Sequence, residues 1–499
     1  MVKIAFCQDV MVEYMGYMCM SALLKKSGHS VEVFFDGQTN EDLFIKELKR
    51  FAPDIVGFSL LSPTAPWALK IAKRVKREMG AITIFGNVHT MINPQIIQEE
   101  GVDIVCLAEG ELLLQELADC VDKKQSYAHI KGFWIKTNQG IIKNPMPQAL
   151  LNLDEMPFHD RSLYDKYFYF RHSKYLRFLC GRGCPYRCAF CANAFLADHF
   201  GVKNYVRKRN LMLLIKELEC LVKERNPNYI FFIDEVFWVD NDWLRTFLPL
   251  YKKKINLPFS ASFRWGKGFT ENDVKLLKEA GLKALIIAVE SADEKERMGL
   301  LNKPVTDEQI LQVTEWLHKY KIDFTVSLLF GLPGDRVDTY IDKLAFFRKI
   351  RPAYLWTAFF QPYQGTRLTE LPEIKKYISE NKPFEPTLHH DMPLNLPDRG
   401  AIVNLKKIYY LLVIWPQSLS IFRWLIRYNL SIFFDILFAL HFTFYAFKFE
   451  HLSLLQYLYH VKIFGINVFV RKKKALRHPG RTLLYIRGQK TQTSRIGMN

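Results

Sequence analysis

Short apolar segments alternate with amphipathic stretches along the first 125 residues of the chain. The apolar segments, such as VKIAFCQ and ITIFGN, are bounded by Gly, Pro or Asp, and stretches with helical periodicity separate them. Apolar strands joined by helices are typical of a parallel sheet that is covered on both faces. The pattern predicts a doubly wound, Rossmann-like α/β domain over residues 1–135, with a ligand crevice beyond the carboxyl ends of its strands.

The loops after these strands are the candidate binding site of this domain. They contain Ser59, Leu60, Leu61, Gly86, Asn87, His89, Glu109 and Gly110. Neither GxGxxG nor GxxxxGK[ST] occurs here, so dinucleotide binding and a phosphate-cradling loop have no local support. The glycines at 86 and 110 permit a ligand to approach the backbone closely.

Six further strand-like segments, separated by stretches with helical periodicity, follow between Tyr175 and Phe360. Repeated strand–helix units predict a partial (β/α)6 barrel of the TIM type, with chemistry at the carboxyl ends of its strands. We place this domain at residues 170–392. Residues 136–169 are punctuated by prolines and predict a linker laid over a surface.

Residues 393–499 differ from the rest, because long aromatic and aliphatic runs precede a basic tail that starts at Arg471. One run has the length of a membrane span, but Asp435 and His441 lie inside it and are costly in hydrocarbon. Basic side chains lie between and after the runs, at Arg423, Arg427, Lys448 and Arg471 to Lys474. Two interpretations stay open: helices that lie on a membrane or cover an apolar substrate, and a helical cap buried against the barrel.

Composition narrows the class of protein. A chain of 499 residues with 49% hydrophobic residues fits about three domains with buried cores, which excludes a disordered tail protein and a small disulfide scaffold. Its 69 Lys and Arg against 51 Asp and Glu give a net charge of +18, which favours an anionic partner such as nucleic acid, a phospholipid surface or a phosphorylated substrate. Nine cysteines and an amino terminus unlike a signal peptide predict the reducing cytoplasm.

Four of the nine cysteines lie within twelve positions, directly after the first strand of the second domain. Cys184, Cys188 and Cys191 have the spacing CxxxCxxC, and three thiolates on one loop can hold three irons of a four-iron four-sulfur cluster while the fourth iron stays open. Zinc is the structural alternative, but structural zinc sites usually combine two separate knuckles. Cys180 ends an apolar strand and would close the site, so we do not expect it to bind iron.

The segment RGCPYRCAFC resembles the cluster loop of the radical S-adenosylmethionine (SAM) enzymes, and residues 1–390 are similar to the subgroup with an amino-terminal cobalamin-binding domain. The resemblance implies that the three cysteines bind the cluster and that SAM chelates the open iron. It also implies SAM contacts at Phe190, Asp234, Glu235, Ser262, Arg264, Glu290 and Ser291. Taken alone, strand-end Asp, Glu and Ser residues can equally cap the next helix.

The amino-terminal resemblance implies that cobalamin binds the strand-end loops of residues 1–135. The DxHxxG signature of proteins that ligate cobalt through histidine is absent. We therefore expect a cobalamin without a histidine lower ligand. His89 is not an equivalent of that histidine, and a loop position is its alternative reading.

The resemblance implies that an electron from a donor such as flavodoxin or ferredoxin cleaves SAM to a 5′-deoxyadenosyl radical, which abstracts hydrogen from an unactivated carbon. With cobalamin alongside, C-methylation of an apolar small molecule (a lipid, isoprenoid or tetrapyrrole) is the leading hypothesis, and radical cyclisation or rearrangement is the alternative.

Two other classes of function are alternatives for this sequence. A nucleic-acid modifier fits the charge, but the chain lacks the extra cysteine domain and terminal barrel of the methylthio-transferring relatives that act on transfer RNA. A non-catalytic cobalamin-binding protein would not need CxxxCxxC. We expect a cytoplasmic enzyme without a nucleic-acid partner, and peripheral contact with the inner face of the membrane if the C-terminal runs lie on lipid.

Overall fold

The computed structural model describes residues 1–36, 41–202, 205–264, 268–378 and 391–449, together with Leu454 and Leu458. These residues form two α/β units followed by a helical region. A seven-stranded sheet lies at the centre of the first unit, and a six-stranded, fully parallel half-barrel lies at the centre of the second. This architecture confirms the predicted fold class.

The first unit is built on a sheet with the strand order β2-β1-β3-β4-β5-β6-β7. Its strands are β1 (Lys3–Gln8), β2 (Ser30–Phe35), β3 (Ile55–Ser59), β4 (Ile82–Gly86), β5 (Ile104–Cys106), β6 (Phe133–Thr137) and β7 (Gly140–Lys143). Its helices are α1 (Met15–Lys26), α2 (Glu41–Phe51), α3 (Ala65–Met79), α4 (Val88–Ile92) and α5 (Glu111–Asp122). The first five strands are parallel, and their order reverses at β1 and β3, where doubly wound sheets open a crevice.

Part of the predicted linker extends this sheet. β6 pairs antiparallel with β5, and β7 pairs antiparallel with β6, although β7 lies wholly within residues 136–169. The later linker residues lie between the two units. The buried Tyr164 donates a hydrogen bond to Gln8 Oε1 at 2.7 Å, and Arg161 donates to the carbonyl of Arg177 at 2.7 Å. The linker thus contacts both units along its length and ends in the short helix α6 (Phe168–Arg171).

The second unit has the strand order β15-β14-β13-β12-β11-β8. Its strands are β8 (Tyr175–Phe178), β11 (Tyr229–Phe232), β12 (Phe259–Phe263), β13 (Leu282–Glu290), β14 (Asp323–Phe330) and β15 (Tyr354–Phe359), and a separate hairpin is formed by β9 (Gly181–Gly183) and β10 (Val206–Lys208). The helices are α7 (Ala192–His199), α8 (Leu211–Arg225), α9 (Asn241–Lys254), α10 (Glu271–Ala280), α11 (Glu294–Met298), α12 (Asp307–Lys319), α13 (Val337–Ile350) and α14 (Pro372–Lys375). One hydrophobic core runs through the half-barrel and continues into the helices that follow it.

The C-terminal region consists of α15 (Arg399–Ile414), α16 (Leu419–Leu425) and α17 (Ser431–Phe449). The two polar residues inside the apolar run of α17 have protein partners. Asp435 forms an ion pair with Lys407 at 2.6 Å, and the ring of His441 bonds the Tyr354 hydroxyl at 2.9 Å and the carbonyl of Lys407 at 2.8 Å. These contacts hold one face of α17 against the half-barrel.

By length and composition alone, α17 could cross a membrane, a property that it shares with core helices of soluble proteins. The basic tail from Arg471 to Lys474 and most of the last apolar run lie outside the described residues, so the predictions made for them stay predictions.

Candidate cofactor and active site

The cysteine loop begins where β9 ends and finishes at α7, whose N-cap is Cys191. Gly183 has a φ of +84°, and a Cβ there would lie 1.9 Å from the carbonyl oxygen of Tyr205 on the neighbouring strand. Only glycine fits this close approach. Two backbone hydrogen bonds attach the loop to the half-barrel: the amide of Ala189 donates to Leu301 at 2.9 Å, and the amide of Leu368 donates to Ala189 at 2.7 Å.

The three cysteine thiols fit a cluster better than a single ion. Burial, together with the neighbouring thiols of Cys191 and Cys188, raises the pKa of Cys184 to about 11, so a bound metal is needed to keep Cys184 as a thiolate. Within the described ranges, no three His, Cys, Asp or Glu side chains converge on one ion. A four-iron cluster binds each thiolate to a different iron, so three thiols on one loop suffice for it, whereas structural zinc sites usually combine two separate knuckles. Cys180 is fully buried in the core of the half-barrel.

Arg264, at the end of β12, lies beside the cysteine loop. Its guanidinium stacks 3.5 Å from the centre of the Tyr186 ring and donates to Cys188 Sγ at 2.8 Å. The side chain is buried, and its Nε has no hydrogen-bond partner in the described part of the chain. A buried guanidinium with an unused N–H is suited to a carboxylate, which is the group that the implied SAM contact requires.

Ser262 and Phe190 are less informative. Ser262 is half-buried on β12, and its carbonyl accepts a hydrogen bond from the amide of Phe237 at 3.2 Å. Phe190 is partly buried against the core of the half-barrel. Their implied SAM contacts stay predictions.

Glu290 and Ser291 lie where β13 ends. Glu290 has a φ of +70°, which is strained for a residue with a side chain, and the pairing of β13 with β14 shifts register there. Its carboxylate lies 3.4 Å from Lys303 Nζ and accepts a hydrogen bond from the Ser327 hydroxyl at 3.3 Å. Ser291 donates to Glu296 and accepts from the amide of Asp293, so its hydroxyl organises the turn that precedes α11.

The two acidic residues after β11 differ in their surroundings. Asp234 is buried, with Oδ1 2.5 Å from Lys208 Nζ and Oδ2 accepting from the amide of Cys180 at 2.9 Å, so it joins the end of β8 to β10. Glu235 faces a cavity between the two units, where burial raises the pKa of its carboxyl and the neighbouring Asp234 adds to the effect. Of the pair, Glu235 is the one free to meet a ligand from the cavity.

That cavity has a volume of about 520 Å³ and lies between the strand ends of the first unit and the β9–β10 hairpin. Six of the eight predicted cobalamin-loop residues line it: Ser59, Leu61, Gly86, Asn87, Glu109 and Gly110. A Cβ at Gly86 or Gly110 would meet protein atoms only at ordinary distances of 3.7 Å or more. The backbone is therefore open towards the cavity, as a cofactor that lies against it requires.

The other two predicted loop residues do not belong to the cavity lining. Leu60 is buried in the core of the first unit. The ring of His89 lies 3.0 Å from the Ser62 hydroxyl, and burial lowers its pKa to about 4. His89 lies in α4 with a packed ring, so the alternative reading as an exposed loop histidine is wrong, and its contact with cobalamin stays a prediction.

Sequence reasoning missed an ion-pair cluster that joins the two units across the cavity. Arg182 on β9 contacts Glu109 at 3.1 Å and Glu111 at 2.6 Å, and Arg207 on β10 contacts Glu109 at 2.7 Å. We call these four residues the interdomain ion cluster. The only available signal was the position of Arg182 directly before the cysteine loop, because pairs more than 70 positions apart leave no local pattern.

One space is thus bordered by the cofactor loops of a doubly wound domain and by the hairpin that leads into a three-cysteine loop. This arrangement agrees with the predicted combination of an amino-terminal cobalamin domain and a radical SAM core. Family models agree, because residues 9–118 match the B12 binding domain and residues 178–347 match the radical SAM superfamily. The chain thus combines a B12-binding domain with a radical SAM domain, which are the two domains that the predicted cofactors, a four-iron four-sulfur cluster, SAM and cobalamin, require.

Two methyltransferases and one solved structure are among the proteins similar to this chain. The chain is 27% identical over 362 residues to an uncharacterised methyltransferase of Pyrococcus horikoshii, covering 70% of this chain and 76% of the relative. It is 24% identical over 334 residues to the hopanoid C-3 methylase of Methylococcus capsulatus, covering 65% of this chain and 62% of that enzyme. The fold resembles the radical SAM methyltransferase TsrM of Kitasatospora setae, solved with cobalamin and a [4Fe-4S] cluster, with a TM-score of 0.60, 17% identity and 74% coverage of both chains.

Proposed function

We propose that this chain is a cobalamin-dependent radical SAM methyltransferase that methylates an unactivated carbon of an apolar small molecule. The observation that carries the proposal is the shared cavity: residues of the cobalamin loops, Glu235 and the β9–β10 hairpin border the same space. Transfer between two cofactors requires that both reach one substrate, and a shared cavity supplies that proximity. The names of the relatives from Pyrococcus and Methylococcus support methyl transfer, and the name of the Methylococcus enzyme gives a hopanoid as its substrate.

When bound, the cluster supplies the electron for SAM cleavage and cobalamin supplies a methyl carrier. The protein's part is to hold and orient these groups. Cys184, Cys188 and Cys191 bind iron, and Arg264 pairs with the carboxylate of SAM through the N–H that is unused in the protein. Glu235 or Glu290 accepts the SAM ammonium, because both carboxylates lie at strand ends on the same side of the half-barrel.

The lining of the cavity supports an apolar substrate. Leu179, Leu196, Phe200 and Ile233 contribute to its walls, and apolar side chains at the reacting carbon keep water away from a reactive radical. Four of the charged residues that line the cavity are paired with each other in the interdomain ion cluster. A lipid, isoprenoid or tetrapyrrole fits such a wall better than a highly charged molecule does.

The test starts with protein that is purified and reconstituted anaerobically with iron, sulfide and cobalamin. The reduced enzyme is supplied with trideuteromethyl-SAM and a lipid extract of the source cells, with flavodoxin or ferredoxin as the proposed electron donor and a chemical reductant as reference. We expect 5′-deoxyadenosine and a lipid product that carries the labelled methyl group. SAM cleavage with an unlabelled, dehydrogenated or rearranged product would establish the cyclase or rearrangement alternative, and failure to assemble a cluster would exclude a radical SAM reaction.

A further inference from the structure

The outer side of α17 carries a continuous exposed apolar face. Ile432, Phe433, Ile436, Leu440, Phe444 and Phe447 form it, mostly at intervals of three or four residues, and they are between 39% and 67% exposed. We call these six residues the apolar face. Exposed apolar surface of this extent marks a contact with another molecule or with a membrane.

The opposite side of α17 is fixed to the half-barrel. Phe434, His441 and Ala446 are buried, and Asp435 and His441 form the polar contacts with Lys407 and Tyr354 described above. Crossing a bilayer would strip these groups of their partners and place them in hydrocarbon. The helix therefore presents its apolar face sideways, as a helix that lies in a membrane interface does.

A basic pocket lies beside the end of α17. It has a volume of about 550 Å³, opens at the amino ends of the half-barrel strands, and is lined by Lys174, Lys278, Lys283, Lys321 and Lys448 with Asp323 as the single carboxylate. We call this the lysine pocket. It lies at the opposite end of the strands from the cofactor residues, so its role does not depend on the proposed function.

The lysine pocket keeps an excess of positive charge. Lys448 pairs with Asp323 at 3.0 Å, and Lys174 and Lys278 donate only to backbone carbonyls, which leaves their charges unbalanced. No hydrogen bond or ion pair with another described residue engages the ammonium of Lys283 or Lys321. An anion in the pocket would neutralise charges that the protein itself leaves unpaired.

The apolar face and the lysine pocket meet at the last turn of α17. Lys448 lines the pocket, and its ammonium lies 5.8 Å from the centre of the exposed Phe444 ring. An apolar surface next to a cluster of lysines matches the boundary between acyl chains and phosphate headgroups. We propose that the protein docks on an anionic phospholipid membrane, with the apolar face in the acyl boundary and a lipid phosphate in the lysine pocket. The cytoplasmic leaflet has the required charge.

Vesicle flotation of the full-length holoenzyme tests this proposal. We expect binding to vesicles of phosphatidylcholine with phosphatidylglycerol, little binding to phosphatidylcholine alone, and release as the salt concentration rises. The double variant Ile436→Ser/Leu440→Ser should lower the partition coefficient by at least about tenfold. Lys283→Glu should lower it by about fivefold or more.

Matched controls separate these effects from general damage. Met212→Ser removes an equally exposed apolar side chain from α8, and Lys123→Glu reverses an exposed charge in the first unit. Both should bind vesicles like the unchanged protein, and all four variants should retain SAM cleavage. Retained cleavage with lost flotation therefore supports docking whether or not the proposed methyl transfer is correct.

Four results would overturn the proposal. The first is failure of the unchanged protein to float with anionic vesicles. The second is a loss that the controls share. The third is a lysine pocket that binds inorganic phosphate or an RNA oligonucleotide, through Lys283, in a protein that stays off vesicles. The fourth is a concentration-dependent dimer that the double serine variant abolishes without any change in flotation, since the apolar face would then be an interface between two copies.

Discussion

The cysteine loop and the cobalamin crevice are built in contrasting ways. The loop gathers three thiols within eight consecutive residues, from Cys184 to Cys191, and two backbone hydrogen bonds attach it to the half-barrel. The crevice collects residues from the ends of four strands, and the interdomain ion cluster joins it to the hairpin that leads into the loop. The loop is thus a local feature that a motif can describe, whereas the crevice exists only when the whole sheet has formed.

Replacing a thiol of the loop should have the largest effect. We expect Cys184→Ala to abolish the cluster and all SAM cleavage, because a single loop supplies all three iron ligands. Iron and sulfide content, visible absorbance and 5′-deoxyadenosine formation would be measured on anaerobic protein. Cys180→Ala is the matched control and should keep the cluster; a protein that loses the cluster through Cys180 and keeps it without Cys184 would show that our ligand assignment is wrong.

The hairpin that leads into the loop should be the next most sensitive point. Gly183→Ala adds a Cβ that would clash with the Tyr205 carbonyl, and we expect the free energy of unfolding to fall by about 3 kcal/mol or more. Gly201→Ala is the control, since Gly201 also has a positive φ but open space around it, so the cost there should be about 1 kcal/mol. Urea denaturation measures both, and equal losses would mean that the close approach to Tyr205 is unimportant.

The cysteine loop could be predicted from the sequence because a short motif encodes it. The alternation of strands and helices could be predicted as well. The three cysteines, the six strands of the half-barrel and most of the crevice loops followed from spacing and periodicity. The ion pair of Asp234 could not be predicted, because its partner Lys208 lies on a separate hairpin that no periodicity places near β11.

The edge of the first sheet was also missed. β6 and β7 are short and follow a turn-rich stretch, and only the antiparallel pairing of β6 with β5 and of β7 with β6 shows that they belong to the sheet. The interdomain ion cluster is the third example, since a charge at Glu109 is compatible with a solvated loop, a cofactor contact or an ion pair. Ion pairs between domains depend on tertiary packing, which a local sequence pattern does not predict.

Weakening the interdomain ion cluster should affect the crevice more than the loop. Glu109→Gln keeps the size of the side chain but removes the charge shared by Arg182 and Arg207, and it leaves the buried Arg207 without its carboxylate partner. We expect cobalamin affinity to fall by about tenfold while the iron content stays unchanged. Glu100→Gln alters an exposed surface pair and serves as the control. Loss of iron and sulfide with normal cobalamin binding would instead show that these ion pairs support the cysteine loop more than the crevice.

Near neutral pH, the smallest expected effect is a pH dependence that arises beside the crevice and grows as the pH falls. Burial lowers the pKa of folded His89 to about 4, below its ordinary value near 6.5, so the unfolded chain takes up a proton between these values that the folded protein does not. The free energy of unfolding should therefore fall as the pH drops through this window, by at most about 1.4 kcal/mol per pH unit for this group. His89→Asn should flatten the slope and His172→Asn, at an exposed position, should not; the same slope in all three proteins would exclude a role for His89.

The buried linker has a practical consequence for recombining these modules. Tyr164 is hydrogen-bonded to Gln8 in the first unit, and Arg161 is hydrogen-bonded to Arg177 at the start of the half-barrel. The segment between the units is therefore a rigid connection and not a flexible linker. A chimaera joined near residue 135 would place this connection against the sheet of another protein and lose the hydrogen bond between Tyr164 and Gln8. Replacing the cobalamin domain with another should succeed only when the junction falls after α6, so that each connecting segment is transferred together with the sheet that it contacts.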